Sequence, residues 1–353
     1  MTEEVRIVLA EDSPTVRRHL ASIIEETPGM RVVGEARNGD EAVRMVAELQ
    51  PDVVSMDIKM PEVDGLEATR RIMASHPTPV VVVSGMLETE MQLSLQALEA
   101  GALAVVGKPP DRNNPAFGEK VRELVTTLRA MAGVRVISRR IYPRREEIET
   151  VEAPRVDTKK LLKPIRPELL AIGASTGGPS ALNRLLKDLP ADLPLPILIV
   201  QHMPDEFIPG LARWLDSTTP LRVELARNGM ELEAGVVLVA PGSAHMVIKR
   251  RGIGLIARLV KERGNFRHQP SVDVLFESVA KTCGTAAIGI LLTGMGDDGA
   301  QGLLGMRNQG AYTLAQDESS CTVYGMPRAA VELDAVQSVE PLANLASKIL
   351  KLV

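Results

Sequence analysis

The chain has 353 residues and a formal net charge of −4 at pH 7, with 41 Lys and Arg against 45 Asp and Glu. This length predicts two or three domains, each able to bury its own core, and the balanced charge argues against a nucleic-acid partner. Two cysteines cannot form a disulfide framework, no apolar run is long enough to span a membrane, and the charged N-terminus argues against a signal peptide. We therefore expect a cytoplasmic protein that does not insert into the membrane.

The first third of the chain alternates predicted strands with predicted helices. Apolar runs typical of buried strands cover residues 5–10, 31–36, 52–57, 79–84 and 103–109. Ser13 can cap the first helix, with Pro14 at its first position. Strands that alternate with helices predict a parallel sheet with helices on both faces.

Polar side chains follow these predicted strands. Glu11 and Asp12 follow the first strand, Asp57 ends the third, Ser84 ends the fourth and Lys108 ends the fifth. The carboxyl ends of parallel strands share one edge of a sheet, so these groups should form a pocket. Three carboxylates repel one another unless something compensates, and Mg²⁺ prefers oxygen ligands. The pattern suits an aspartyl-phosphate, with Asp57 as the acceptor.

These motifs resemble the receiver domain of two-component response regulators. The matching segments are residues 10–13, 56–61 with Asp64 and Gly65, 83–85, and 108–109. The resemblance implies a flavodoxin-like fold over residues 1–128, with Asp57 as phosphoacceptor and Glu11, Asp12 and Asp57 around Mg²⁺. It assigns the phosphorylation switch to Ser84 and Lys108. The sequence departs from the family at Val105, where receivers usually carry an aromatic switch residue.

Residues 129–165 interrupt the alternating pattern. A basic stretch around Pro143 is followed by acidic residues 146–152 and then by further basic residues and prolines. Charge blocks of this kind are typical of a solvated interdomain linker without a packed core. A docking strip for a receptor tail or for a kinase is the sharper alternative.

The third segment, residues 166–353, opens with an apolar run that ends in a glycine-rich turn. The four apolar residues 169–172 predict a buried parallel strand, and Gly173–Pro179 reads Gly-x-Ser-x-Gly-Gly-Pro. A serine at the tip of a strand–turn–helix unit is the physical content of a nucleophile elbow, which makes Ser175 a candidate nucleophile. A glycine-rich phosphate loop is the alternative, because the same glycine spacing would serve it.

A candidate base follows the next predicted strand. His202 comes directly after the apolar run 196–200, so it should lie on the same sheet edge as Ser175. His245 is the serious rival for this role and His268 the weaker one.

A candidate acid follows a third strand, 286–292, in a loop that contains Asp297 and Asp298. One aspartate could fix the tautomer of the histidine, and the other could cap the helix that follows. The chain order Ser, His, Asp differs from that of α/β-hydrolases, so the elbow does not by itself imply that fold.

The remaining segments resemble the catalytic domain of the chemotaxis protein-glutamate methylesterases, which share this receiver-plus-hydrolase layout. They are residues 173–179, 201–204, 240–242, 270–276, 292–299 and 325–330. The resemblance implies a Rossmann-like domain, and therefore an α/β protein with two doubly wound parallel sheets. It assigns nucleophile, base and acid to Ser175, His202 and Asp298, and it places Thr176 and Met295 in the lining or oxyanion region of the site.

The same resemblance implies the function. A phosphorylation-regulated serine hydrolase would remove methyl esters from glutamates of chemoreceptors and deamidate receptor glutamines, without a cofactor in the catalytic domain. Its partners would be the histidine kinase of a chemosensory array and the methylated receptors. The alternatives are action on another array protein outside chemotaxis, and an inactive phosphorylation-dependent adaptor.

Overall fold

The computed structural model describes residues 4–85, 88–134, 136, 167–261 and 268–353, with the backbone alone described at 88–92. These residues form two parallel sheets and one antiparallel two-stranded ribbon. The α/β class with two parallel sheets is therefore confirmed. The predicted linker lies almost entirely outside the described residues, and so does its alternative role as a docking strip.

The first sheet has the strand order 2-1-3-4-5, and every neighbouring pair is parallel. This is the order of the flavodoxin-like doubly wound fold. Its strands are β1 (Val5–Ala10), β2 (Met30–Ala36), β3 (Val53–Met56), β4 (Val80–Ser84) and β5 (Ala104–Gly107). Its helices are α1 (Pro14–Glu25), α2 (Gly39–Leu49), α3 (Gly65–Ser75), α4 (Glu88–Ala100) and α5 (Phe117–Ala132).

Local capping sets where these helices begin. The side chain of Ser13 accepts the Val16 N–H at 3.5 Å, and Pro14 is the first residue of α1, as predicted. At the other end of the domain, α5 continues through Ala132, four residues into the segment predicted as linker from residue 129. The helix persists because Met131 is fully buried against the core.

The second sheet has seven strands, all parallel, in the order β14-β13-β12-β6-β7-β9-β8. The strands are β6 (Leu169–Ala174), β7 (Ile197–Gln201), β8 (Arg222–Leu225), β9 (Val236–Val239), β12 (Ala287–Leu291), β13 (Tyr312–Gln316) and β14 (Ser338–Glu340). The helices are α6 (Gly178–Lys187), α7 (Ile208–Thr218), α8 (Val272–Cys283), α9 (Ala300–Asn308), α10 (Met326–Glu332) and α11 (Leu342–Leu350). None of the helices in the described ranges is long and apolar enough to cross a bilayer.

An antiparallel ribbon follows β9 and precedes β12 along the chain, and it was not among the predicted elements. It consists of β10 (His245–Arg251) and β11 (Gly254–Val260), and its inner face packs on α8. The ribbon positions His245 beside the first residues of α8, because His245 is the first residue of β10.

Three neighbouring strands of the second sheet end side by side. In the register of β12, β6 and β7, Gly173 pairs with Leu291 on one side and with Val200 on the other. The loops that carry Ser175, His202 and Asp298 therefore leave the same edge of the sheet.

The two parallel-sheet units contact each other through α4. This helix packs on α6 and α7, and the Leu98 carbonyl accepts a hydrogen bond from Ser180 Oγ at 3.0 Å. Polar contacts at the rim join Lys187 to Glu99 at 3.4 Å and Lys120 of α5 to Glu206 at 3.7 Å. The carboxyl edge of the second sheet thus faces the first unit.

Candidate active site

Ser175 lies in a tight turn between β6 and α6. Gly177 has a φ of +77°, which favours glycine, and a Cβ on Gly178 would lie 2.0 Å from Oε1 of Gln201. The Ser175 N–H donates to Thr293 O at 3.0 Å, and the Gly178 N–H donates to Ser175 O at 2.8 Å. These two N–H groups already have protein partners, so the turn does not present them as a phosphate cradle. The geometry favours the elbow interpretation.

Gln201 braces this turn against the neighbouring strand. The side chain is buried, and its Nε2 donates to the carbonyl oxygens of Ser175 and His202, both at 2.8 Å. The backbone of the candidate nucleophile is thereby tied to that of the candidate base. On sequence, Gln201 was only the first residue of the family-like segment 201–204, and this bracing role was not predicted.

The imidazole of His202 faces the aspartate loop. Its Nε2 lies 2.8 Å from Oδ2 of Asp298, and both side chains are 10% exposed. Its other ring nitrogen, Nδ1, is buried and has no hydrogen-bond partner within the described part of the chain. The ring therefore offers Nδ1 to a proton donor, while Asp298 holds Nε2.

Asp298 carries a largely buried carboxylate, 10% exposed, that several groups stabilise. Besides His202, it accepts hydrogen bonds from Ser271 Oγ at 2.8 Å and from the N–H groups of Val272 at 2.7 Å and Asp273 at 3.2 Å. Val272 and Asp273 open α8, where the helix dipole also favours an anion. Burial opposes ionisation, but His202 and these hydrogen bonds outweigh it and hold the pKa of Asp298 well below its usual range.

Asp297, the other aspartate of the loop, is not one of the groups that hydrogen-bond to Asp298. Asp297 is exposed, and α9 begins after Gly299, whose φ of +94° suits glycine and which provides no side-chain cap. The expectation that the aspartate not used by His202 caps this helix is wrong. Asp273 does so instead, because its Oδ1 reaches across from α8 and accepts the Gly302 N–H at 2.6 Å.

The other histidines differ in their distance from the site. His245 is buried and its Nδ1 accepts the Ser271 N–H at 3.1 Å, so it supports α8 rather than facing the cleft. His268 was ranked below His245 on sequence, yet its ring stacks on that of His202 with centroids 4.4 Å apart and planes inclined by 16°. No residue spacing in the sequence around His268 predicts that it stacks on His202.

A cleft of about 1040 Å³ lies between the two units and is lined by Ser175, His202 and His268. Thr176 and Met295, the predicted lining residues, both face it, and Met295 is 42% exposed. The first unit lines the opposite wall with residues from the end of α4, β5 and α5, among them Leu98, Val105 and Lys120. Val105, at the position where receivers usually carry an aromatic residue, therefore faces the same cavity as Ser175.

The acidic residues of the first unit also come together. Glu11, Asp12 and Asp57 each place a carboxylate oxygen within 4.8 Å of the others, an oxygen-rich donor set that fits a hard divalent cation. Lys108 Nζ lies 2.9 Å from Glu11 Oε2 and 3.0 Å from Asp57 Oδ1. The buried hydroxyl of Ser84 has no hydrogen-bond partner among the described residues, which leaves it available to a phosphoryl oxygen.

Burial controls the protonation of this cluster. It raises the pKa of Asp57 and of Glu11, although the ammonium of Lys108 works in the opposite direction. The pKa of Lys108 is itself raised, because the two carboxylates outweigh the cost of burying its charge. An added cation would favour the charged carboxylates for the same electrostatic reason.

Comparison with known proteins gives the same two-part division. Residues 170–349 match the family CheB methylesterase, and residues 7–114 match the family Response regulator receiver domain. The chain is 46% identical over 347 residues to protein-glutamate methylesterase/protein-glutamine glutaminase 4 of Myxococcus xanthus, covering 98% of this chain and 96% of that protein.

Two further relatives agree with this match. Protein-glutamate methylesterase/protein-glutamine glutaminase 3 of Anaeromyxobacter dehalogenans is 43% identical over 343 residues, covering 96% of this chain and 97% of that protein. The crystal structure of the CheB methylesterase catalytic domain of Thermotoga maritima is 35% identical, with a TM-score of 0.52 over 53% of this chain and 99% of that one.

The two adjacent aspartates should respond differently to substitution. Asp298→Asn removes the charge that holds the His202 ring and steadies its protonated form, so we expect hydrolytic turnover to fall by ~10⁴-fold. Asp297→Asn, the matched control, should stay near wild type because Asp297 is exposed. Turnover and melting temperature of both variants check this, and an inactive Asp297→Asn beside an active Asp298→Asn would reverse the assignment.

Asp273 should give stability a pH dependence. Burial, reinforced by the negative charge of Asp298, raises the pKa of Asp273 to about 6, above the value of about 3.9 for an unfolded aspartate. The folded state thus binds this proton more tightly, and the stabilisation is lost as the pH rises from about 4 through 6.

We expect the melting temperature of Asp273→Asn, which stays neutral, to rise relative to that of wild type as the pH increases from about 4 to 6. Thermal unfolding of both proteins across this range measures the difference. A difference that does not change with pH would show that Asp273 is not the titrating group.

Proposed function

The chain belongs to the CheB methylesterase family and carries a response regulator receiver domain, and we propose from this that it hydrolyses glutamate methyl esters of chemoreceptors under control of phosphorylation. Deamidation of receptor glutamines is the related amide reaction. The observation that carries the proposal is the meeting of Ser175, His202 and Asp298 on one sheet edge, with His202 and Asp298 2.8 Å apart. We assign residues 1–128 to the receiver, 129–165 to the linker and 166–353 to the catalytic domain. The last receiver helix, α5, continues to Ala132 and so forms the first residues of the linker.

In the proposed acylation step, Ser175 Oγ attacks the ester carbonyl carbon. His202 takes the hydroxyl proton on Nδ1, the nitrogen not engaged by Asp298, and becomes an imidazolium that the Asp298 carboxylate stabilises. The tetrahedral intermediate collapses, the C–O bond to the methoxy group breaks, and His202 returns the proton so that methanol leaves. Water then repeats the sequence on the acyl-enzyme and releases the glutamate carboxylate.

The oxyanion of each tetrahedral intermediate needs hydrogen-bond donors. The Ser175 N–H is already used by Thr293 O, so it is not one of them. We assign this role to the region of Thr176 and Met295, both of which face the cleft. A donor in such a site contributes about 3–4 kcal/mol to transition-state stabilisation.

The receiver supplies the regulatory site. We propose that Asp57 accepts the phosphoryl group, that Glu11, Asp12 and Asp57 hold Mg²⁺, and that Ser84 and Lys108 contact the phosphoryl oxygens. Bound Mg²⁺ would offset the negative charge that accumulates on phosphorylation. Lys108 already bridges Glu11 and Asp57, so a new charge at Asp57 must redirect its ammonium.

The receiver covers the catalytic cleft in this arrangement. Leu98 and Val105 stand opposite Ser175 and His202 across the cavity, and α4 packs on α6 and α7. A macromolecular substrate would meet this cover before it met Ser175. We propose that phosphorylation weakens the contact of α4 and β5 with the catalytic domain and shifts the population toward an open form.

The partners follow from this scheme. A histidine kinase of a chemosensory array would supply the phosphoryl group, and methylated chemoreceptors would be the substrates. We place the protein in the cytoplasm, where a kinase and the cytoplasmic parts of receptors meet. An inactive adaptor is disfavoured because the hydrolytic residues are assembled, and methanol release separates the two possibilities directly.

Ser175→Ala should abolish methanol release from methylated receptors while the fold is retained. The loss should be ~10⁴-fold or more, because the three residues act as a unit. Ser319→Ala, an exposed serine in the same domain, is the control. Near-normal release by Ser175→Ala, with wild-type melting temperature, would refute the assignment.

Removal of the receiver should raise basal activity. A chain that lacks residues 1–150 has no cover over the cleft, so we expect faster methanol release than from the unphosphorylated full chain. A truncated enzyme slower than the full chain would make the receiver an activator.

Asp57→Asn should lose stimulation of methanol release by a phosphodonor with Mg²⁺, whereas Asp40→Asn, a substitution of an exposed receiver acid, should keep it.

A further inference from the structure

His268 stacks on the imidazole of the proposed base. The two ring centroids are 4.4 Å apart and the planes are inclined by only 16°, an almost parallel arrangement. His268 is exposed and faces the cleft, whereas His202 is 10% exposed at its side chain. His268 therefore stands on the cleft side of the ring that has to exchange protons.

Within the described part of the chain, one side-chain hydrogen bond holds the edge of the His202 ring. Nε2 meets Asp298, while the backbone is fixed by Gln201 and by the bond from His202 N to Ala174 O at 2.9 Å. None of these contacts prevents the ring from tilting about the Nε2–Asp298 direction. A tilt of this kind would change the direction in which Nδ1 points, and the stacked ring of His268 opposes it.

The loop arrangement keeps His268 in this place. Gln269 and Pro270 separate it from Ser271, which caps α8 and donates to Asp298. Gln269 Nε2 donates to Ser243 O at 3.1 Å and ties the segment to the loop before β10. The residue that covers His202 and the residues that hold Asp298 thus belong to one short stretch of chain.

We propose that His268 is a positioning residue, which holds the His202 imidazole between Asp298 and Ser175 by stacking on its face. This inference rests on the proposed function only in taking His202 as the base for Ser175. The contact is one of ring against ring, so a phenyl group should replace it, whereas a methyl group should not.

The test compares His268→Ala and His268→Phe in the full chain, with His76→Ala, an exposed receiver histidine, as the control. The first readout is the rate at which a fluorophosphonate modifies Ser175, which requires the base but no receptor. The second is kcat and KM for methanol release after activation by a phosphodonor. We expect His268→Ala to slow both Ser175 modification and kcat by about tenfold, with KM within about twofold, and His268→Phe to stay within about threefold of wild type.

Three results would overturn the proposal. In the first, Ser175 of His268→Ala reacts with the fluorophosphonate at the wild-type rate. In the second, Ser175 modification and kcat are as slow in His268→Phe as in His268→Ala. In the third, His268→Ala changes KM alone. The second result would assign the effect to the ring nitrogens and not to stacking. Failure of the proposed substrate would be seen separately, as a wild-type protein whose Ser175 reacts with the fluorophosphonate but which releases no methanol.

Discussion

The buried charge of Asp298 organises the catalytic edge. An ionised carboxylate at this depth is stable only with several donors, and the structure supplies them from His202 and from the first residues of α8. The same hydrogen bonds fix the loop after β12 and the start of α8, and they hold Nε2 of the imidazole. The catalytic arrangement and the local fold therefore depend on a single electrostatic requirement.

The ionised Asp298 carboxylate also affects Asp273, which contacts it from α8. Asp273 donates its N–H to Asp298 and places its own carboxylate nearby, where burial and the negative charge of Asp298 raise its pKa to about 6. Its Oδ1 is used by the Gly302 N–H, so the same side chain begins α9. One carboxylate is kept ionised for chemistry, while the other serves the helix and carries the electrostatic penalty.

One rule of parallel sheets produces both sites of the protein. The acidic cluster around Asp57 and the edge around Ser175 each lie where parallel strands end, because right-handed crossovers bring these ends to one side. The receiver then lies with α4 on α6 and α7, so that part of its surface lines the catalytic cleft. Under the proposed regulation, phosphorylation at Asp57 would act on Ser175 through this shared wall.

The sequence by itself determined the elements whose signals are local. Apolar runs marked all five receiver strands and those that precede Ser175, His202 and Asp298, and Ser13 with Pro14 marked the start of α1. Strand ends then predicted which polar residues would meet, because a parallel sheet leaves little freedom in that respect. Only the tertiary structure decided that Asp273 caps α9, that His268 covers His202, and that Nδ1 is the ring nitrogen left without a partner in the part of the chain described. These features are contacts between side chains from different elements, and they depend on the distances and angles at which loops of the folded chain meet, which no spacing of residues along the sequence specifies.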